Sequence, residues 1–239
     1  SIDIICIRIL FFRIMKKFRL ENKRIVITQS DKFMGPDIKK LFEEEGGNVF
    51  SDTRSLVSLN SAKELVNDYG HIDVLIINLA AINPKLSVEN TDDENWKKMF
   101  DIMVHPLHWL VKSVVSQMKK RRKGKIVVIG SASALRGMKN WSSYASARGA
   151  QLSYVKSTGV ELAPYNIQIN AIAQTFVENP SYFSKEYIKT EEFKNRMKEV
   201  PINRLATGRE DAYLALFLAS DDSNFIVGQT FPFAGGWIV

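Results

Sequence analysis

Three residues could together run acid–base chemistry: Ser131, Tyr144 and Arg148. Tyr144 and Arg148 are four apart in "SSYASARGA", so on a helix they share a face. A guanidinium keeps its charge at any working pH and favours a phenolate over a phenol beside it. Ser131 ends an apolar run, "KIVVIGS", and offers a hydroxyl that can hold a substrate oxygen. The set supplies a proton acceptor, a fixed cation that assists it and a positioning group. The competing structural reading is a Tyr and an Arg on a solvated helix face, with Ser131 merely ending a strand.

The elements that must position these groups follow from patterning. "RIVIT", "DVLIINLA", "KIVVIGSAS" and "IQINAIA" are β-branched or continuously apolar and read as strands buried on both faces. "NVFSD" and "GQTFPFAGG" add two more strands. Helices are expected at "PDIKKLFEEEGG", with Pro36 in its first turn; at "SAKELVNDYG", opened by Ser61; over one long segment from Thr91 to Arg122; from Ser142 to Tyr165; and at "REDAYLALFLAS". Strand and helix alternate from Arg24 onward. That pattern predicts a single α/β domain, a Rossmann-like, doubly wound parallel sheet with helices on both faces. Ligands of such sheets bind beyond the carboxyl ends of the strands, here Thr28, Asn78, Ser131 and Ala173. Tyr144 and Arg148 follow one of these ends. The coincidence favours the chemical reading.

A dinucleotide requires glycines in the turn after the first strand, where the backbone approaches the pyrophosphate. That turn reads "TQSDKFMG" and its only glycine is Gly35. Asp52, after the second strand, could contact a ribose hydroxyl but equally suits a turn. No nicotinamide cofactor is expected, and no other.

The chain has 239 residues, 45% hydrophobic and 25% charged, the mix of one soluble globular domain. Much of the net charge of +7 sits in "KKRRKGK", Lys119 to Lys125. We read it as a helix end whose cations complement the dipole, stopped by Gly124, rather than as a nucleic-acid patch. The single cysteine, Cys6, forms no intrachain disulfide, which suits the reducing cytoplasm. His71, His105 and His108 show no metal-ligand spacing, and no metal is expected. "SIDIICIRILFFRIM" is apolar but broken by Arg8 and Arg13, too short to span a bilayer. Residues 1–20 are taken as an extension outside the fold, with Met15 as a natural start and an interfacial anchor as the alternative. Residues 21–239 form the catalytic domain.

On Ser131, Tyr144 and Arg148, and on Thr28, Phe33 and Gly35 in the first loop, the chain resembles the short-chain dehydrogenase/reductase superfamily over Lys23 to Gly236. Within it the chain looks like the halohydrin dehalogenases, which carry Ser-x12-Tyr-x3-Arg where relatives have Tyr-x3-Lys, and Thr-x4-Phe/Tyr-x-Gly in place of the glycine-rich loop. The resemblance implies a cofactor-independent lyase that converts vicinal halohydrins to epoxides plus halide. In reverse it would open epoxides with azide, cyanide or nitrite. Tyr144 is then the base, Ser131 holds the substrate oxygen and Arg148 stabilises the phenolate. Phe33 and the segment Gln174, Thr175, Phe176 and Val177 would bind the halide, with backbone N–H groups facing it. Ala81, Ser133, Leu135, Trp141 and Phe183 would line the substrate pocket. The family also implies a homotetramer.

Three features depart from that family. Gln174-Thr175 replaces a frequent Pro-Asn. Leu79, not an acid, follows Asn78. Leu135 is smaller than the aromatic of some relatives, which implies a roomier pocket. Two other readings stay open: an NAD(P)-dependent dehydrogenase acting on an alcohol or ketone and tolerating arginine, and a non-catalytic scaffold of the same fold.

Overall fold

The computed structural model describes residues 18–239. Six parallel strands form one sheet: β1 (Arg24–Thr28), β2 (Asn48–Asp52), β3 (Val74–Asn78), β4 (Gly124–Ser131), β5 (Ile167–Gln174) and β6 (Thr230–Phe233). Their order is β2-β1-β3-β4-β5-β6. The helices are α1 (Gly35–Glu44), α2 (Leu59–Tyr69), α3 (Asp93–Met103), α4 (His105–Arg121), α5 (Ser142–Leu162), α6 (Glu191–Met197) and α7 (Gly208–Ala219).

Alternate residues of the central strands feed two cores. Val26, Leu75, Ile77, Ile126 and Val128 pack with Leu65 of α2, Leu110 and Val114 of α4 and Val155 of α5. Ile25, Ile27, Val74, Ile76, Val127 and Ile129 pack with Ile38 and Phe42 of α1 and with Ala212 and Leu216 of α7. Burial on both faces explains why these strands read as continuous apolar runs.

Some expected boundaries move. The long helix from Thr91 is two helices that break at Val104. Pro106 has no N–H to offer the Ile102 carbonyl, so the backbone ladder is interrupted there. Helix α2 is opened by Ser58; Ser61 is its reciprocal partner in a capping box. Arg122, at φ 50°, ends α4, whereas Gly124 already belongs to β4, where an added Cβ would strike the Met118 side chain. The basic run is spent locally: Arg121 donates to the Ile72 carbonyl at 2.7 Å and Arg122 to the Pro164 carbonyl at 2.8 Å. Leu20, expected outside the fold, is fully buried in the α1 core, and its N–H donates to the Glu45 carbonyl at 3.0 Å. Residues 1–17, with Cys6 and the anchor reading, lie outside the described residues. Among those described, no helix is long and apolar enough to cross a membrane, and no cluster of three His, Cys, Asp or Glu is placed to hold a metal.

Candidate active site

The carboxyl ends of β3, β4 and β5 and the loop after β1 surround a cavity of about 300 Å³. Ser131, Tyr144 and Arg148 all line it, and all three are buried. Arg148 Nε donates to the Tyr144 hydroxyl at 3.1 Å. Its Nη1 donates to the Leu79 carbonyl at 2.9 Å, the Ile129 carbonyl at 3.0 Å and Gln151 Oε1 at 3.0 Å. Gln151 is anchored in turn, donating to the Met103 carbonyl at 2.7 Å. The guanidinium is thus fixed by the ends of β3 and β4 and by its own helix. Among the described residues no carboxylate pairs with it, so its charge is left for the cavity. Leu79, which departs from the expected acid, contributes its carbonyl to this clamp.

Ser131 accepts from the Ser133 N–H at 3.2 Å, and the two hydroxyls lie 2.9 Å apart. With Ser133 donating, the Ser131 O–H is free to point at a substrate oxygen.

The first loop closes the place where a pyrophosphate would sit. Gln29 (φ 45°) and Phe33 (φ 50°) hold left-handed conformations that cost about 1 kcal/mol or more each. Asn78 Nδ2 pins the loop, donating to the Gln29 carbonyl at 3.0 Å and the Lys32 carbonyl at 2.9 Å. A Cβ on Gly35 would lie 2.6 Å from the Ser30 carbonyl oxygen and 2.7 Å from that of Gln29. The Gly35 N–H already donates to the Lys32 carbonyl at 2.9 Å. The amino end of α1 is therefore covered by its own loop carbonyls instead of being open to an anion. Asp52 is committed as well: it accepts from Arg54 Nε at 2.7 Å, the Arg54 N–H at 3.1 Å and the Tyr69 hydroxyl at 3.1 Å. The Gly35 N–H and the Asp52 carboxylate are thus both engaged within the chain.

The loop after β5 divides the five residues expected to bind halide. The Thr175 N–H is taken by the Phe233 carbonyl at 3.0 Å. The Gln174 carboxamide nitrogen, in the orientation that satisfies the network, donates to both Asp211 oxygens at 2.7 and 2.8 Å. The donors of Gln174's side chain and of Thr175's backbone are thus withdrawn from the anion. Phe176, at φ 54°, turns the chain, and the N–H groups of Phe176 and Val177 have no acceptor among the described residues. Both residues line the cavity, as does Phe33. Successive free N–H groups at a left-handed turn form an anion nest.

Of the expected pocket residues, Ser133, Trp141 and Phe183 line the cavity. Trp141 packs edge-on against Tyr144 at 5.4 Å, and Phe183 stacks on Phe176 at 6.1 Å. Two expectations are corrected. Leu135 is 41% exposed and faces a separate surface groove, because the turn Ala132–Ala134 carries it outward. Ala81 does not line the cavity; it belongs to a buried cluster with Met99, Met103, Tyr144 and Ala147, and its carbonyl accepts from the Tyr182 hydroxyl.

That carbonyl reveals a residue the sequence did not flag. The Tyr182 hydroxyl donates to the Ala81 carbonyl at 3.1 Å, its ring meets Phe33 at 5.5 Å, and it lines the cavity with Tyr144 and Arg148, whose charges act on it. Burial and the neighbouring Tyr144 push its pKa well above the usual phenol value, against the pull of Arg148. Tyr182 therefore stays a neutral donor. It is 38 residues from Tyr144, and no local pattern could have paired them.

Residues 12–238 match the family model described as enoyl-(acyl carrier protein) reductase. The chain belongs to the short-chain dehydrogenase/reductase superfamily. Similar chains include the 3-oxoacyl-(acyl-carrier-protein) reductase of Thermotoga maritima, 28% identical over 92% of this chain and all of the relative. Human dehydrogenase/reductase SDR family member 4 is 34% identical over 70% of this short-chain dehydrogenase/reductase chain and 60% of its own length. Among solved structures, one called a dehalogenation enzyme is 28% identical at a TM-score of 0.83, covering 92% of this chain and 99% of the other. A Burkholderia cenocepacia gluconate 5-dehydrogenase in complex with NADP and tartrate shares the fold at 22% identity and a TM-score of 0.85, over 92% and 97% of the two chains.

Proposed function

We propose that the protein is a cofactor-independent halohydrin dehalogenase. Tyr144 takes the proton of the substrate hydroxyl, which Ser131 holds. The alkoxide oxygen then forms a bond to the neighbouring carbon from behind as the carbon–halogen bond breaks. The products are an epoxide, a halide carrying the bonding pair, and a proton on Tyr144 that passes to solvent. The Arg148 Nε–H bond to the Tyr144 oxygen is strongest while that oxygen is the phenolate base and relaxes as it takes the proton. The leaving anion is received by the N–H groups of Phe176 and Val177, and Phe33 and Phe183 shield the nest from water. The reverse reaction opens epoxides with small anions in the same nest. The reading rests on one observation: Phe176 and Val177, whose N–H groups have no acceptor among the described residues, line the same cavity as the Tyr144–Arg148 pair.

A second reading, an NAD(P)-dependent oxidoreductase, is favoured by the names of the curated relatives. Incubation with a bromohydrin, without nicotinamide, separates the two. The proposal expects bromide and epoxide in equal amounts, lost in Tyr144→Phe. Silence across several halohydrins and epoxides, with saturable NADPH binding, would establish the second reading. Assembly as a homotetramer belongs to the same proposal, and light scattering tests it.

A further inference from the structure

The reactive groups leave part of the cavity unexplained. Asn83 is buried and lines the cavity. Its Oδ1 accepts from the Lys85 N–H at 3.0 Å, which fixes the amide's orientation. Its Nδ2 has no partner. A buried donor left unmade costs stability, so it calls for an acceptor from outside the fold. The cavity's charged lining is of one sign: Lys85, Arg148 and Arg196, with no Asp or Glu. Neither Lys85 nor Arg196 has a carboxylate partner among the described residues. Lys85 is exposed at the rim. Arg196 is half-buried, over the Phe176 ring at 5.5 Å, with Nη1 donating to the Tyr187 hydroxyl at 3.1 Å. One halide needs one nest. Two further cations and a free amide donor exceed that need.

We infer that Asn83, in a cavity whose lining also carries Lys85 and Arg196, forms a subsite for a carboxylate on the substrate, so that the preferred substrates are halohydrins of small hydroxy acids. The inference rests on the dehalogenase reading for its chemistry and on Asn83 for its specificity. A carboxylate presents acceptors only, matching a free donor in a cavity whose charged lining is cationic. A neutral alkyl or ester group would leave Asn83 Nδ2 unsatisfied.

The test compares 3-bromo-2-hydroxypropanoate with its amide, following bromide release at constant ionic strength. The acid is expected to have a kcat/KM at least about tenfold higher, mainly through KM. Asn83→Asp keeps the acceptor for the Lys85 N–H but turns the free donor into a charge, so the preference should vanish or reverse. Arg196→Gln should reduce it. Lactate and lactamide, read by Trp141 and Trp237 fluorescence, give a measure independent of turnover; lactate should bind more tightly, and Asn83→Asp should abolish the difference. Equal rates for acid and amide would overturn the subsite and leave the dehalogenase intact. So would lactate binding that survives Asn83→Asp but is displaced by bromide, since the carboxylate would then sit in the halide nest. No bromide from either compound, with lactate binding still dependent on Asn83, would support the subsite and count against the dehalogenase. Loss of both would overturn both.

Discussion

Replacing Arg148 with lysine asks what the guanidinium does that a plain cation cannot. Arg148 spans two tasks with two different nitrogens: Nε meets Tyr144, and Nη1 meets three acceptors. A lysine brings one nitrogen, so it must choose. If the ammonium settles among the Leu79 and Ile129 carbonyls, Tyr144 loses a charge-assisted hydrogen bond worth roughly 1.5–3 kcal/mol, a fall of about 10- to 150-fold in kcat. If it settles on Tyr144, two buried carbonyls are orphaned at about 1–3 kcal/mol each. For a chain of this length each kcal/mol moves Tm by roughly 2–4 °C, so the melt would drop by about 4 °C or more. Initial rates of bromide release and a thermal melt on Arg148→Lys decide between the two. A variant with unchanged rate and unchanged Tm would refute the division of labour between Nε and Nη1.

Three further predictions concern the surroundings. Gly35→Ala drives a Cβ into the Ser30 and Gln29 carbonyls and should lower stability by about 1–3 kcal/mol in a denaturant titration; a neutral result would mean that the first loop does not pack on α1 as described. Tyr182→Phe removes the donor to Ala81 and should slow halide release several-fold with KM little changed, whereas a purely structural role would show only in the melt. Asp211 is pushed up to about 7, by burial and then by Asp37. The folded state then holds a proton that the unfolded chain, with an ordinary value near ~4, has lost. Stability should fall as pH rises from roughly 4 to 7 and level off above, by at most about 4 kcal/mol because the two Gln174 bonds favour the ionised form. Melts of Asp211→Asn should show a much flatter profile over that range; identical profiles would remove Asp211 from the account.

Much of this site was legible because its parts are local. Ser131 ends an apolar strand, Tyr144 and Arg148 share one helical turn, and the missing glycines of the first loop are visible by inspection. What escaped was long-range. Tyr182 comes to Tyr144 only because the loop after β5 folds back over Ala81. The tie between the Gln174 side chain and Asp211 crosses from β5 to α7. Asn83 looks like any loop asparagine until its Oδ1 is seen to be used and its Nδ2 left over. Leu135 failed as a pocket residue because a single turn of 3₁₀-helix sets which way the chain faces. The break at Val104 is legible in Pro106, whose missing N–H outweighs the amphipathic pattern that runs through it.

The central claim is that the carboxyl edge of this sheet is built for a departing anion, not for a dinucleotide. Anomalous diffraction from crystals soaked in bromide together with NADPH tests it most directly. The account predicts a bromide peak within hydrogen-bonding distance of the Phe176 and Val177 N–H groups and no nucleotide density over Gly35. Density for NADPH along the first loop, with no bromide at the turn after β5, would contradict it.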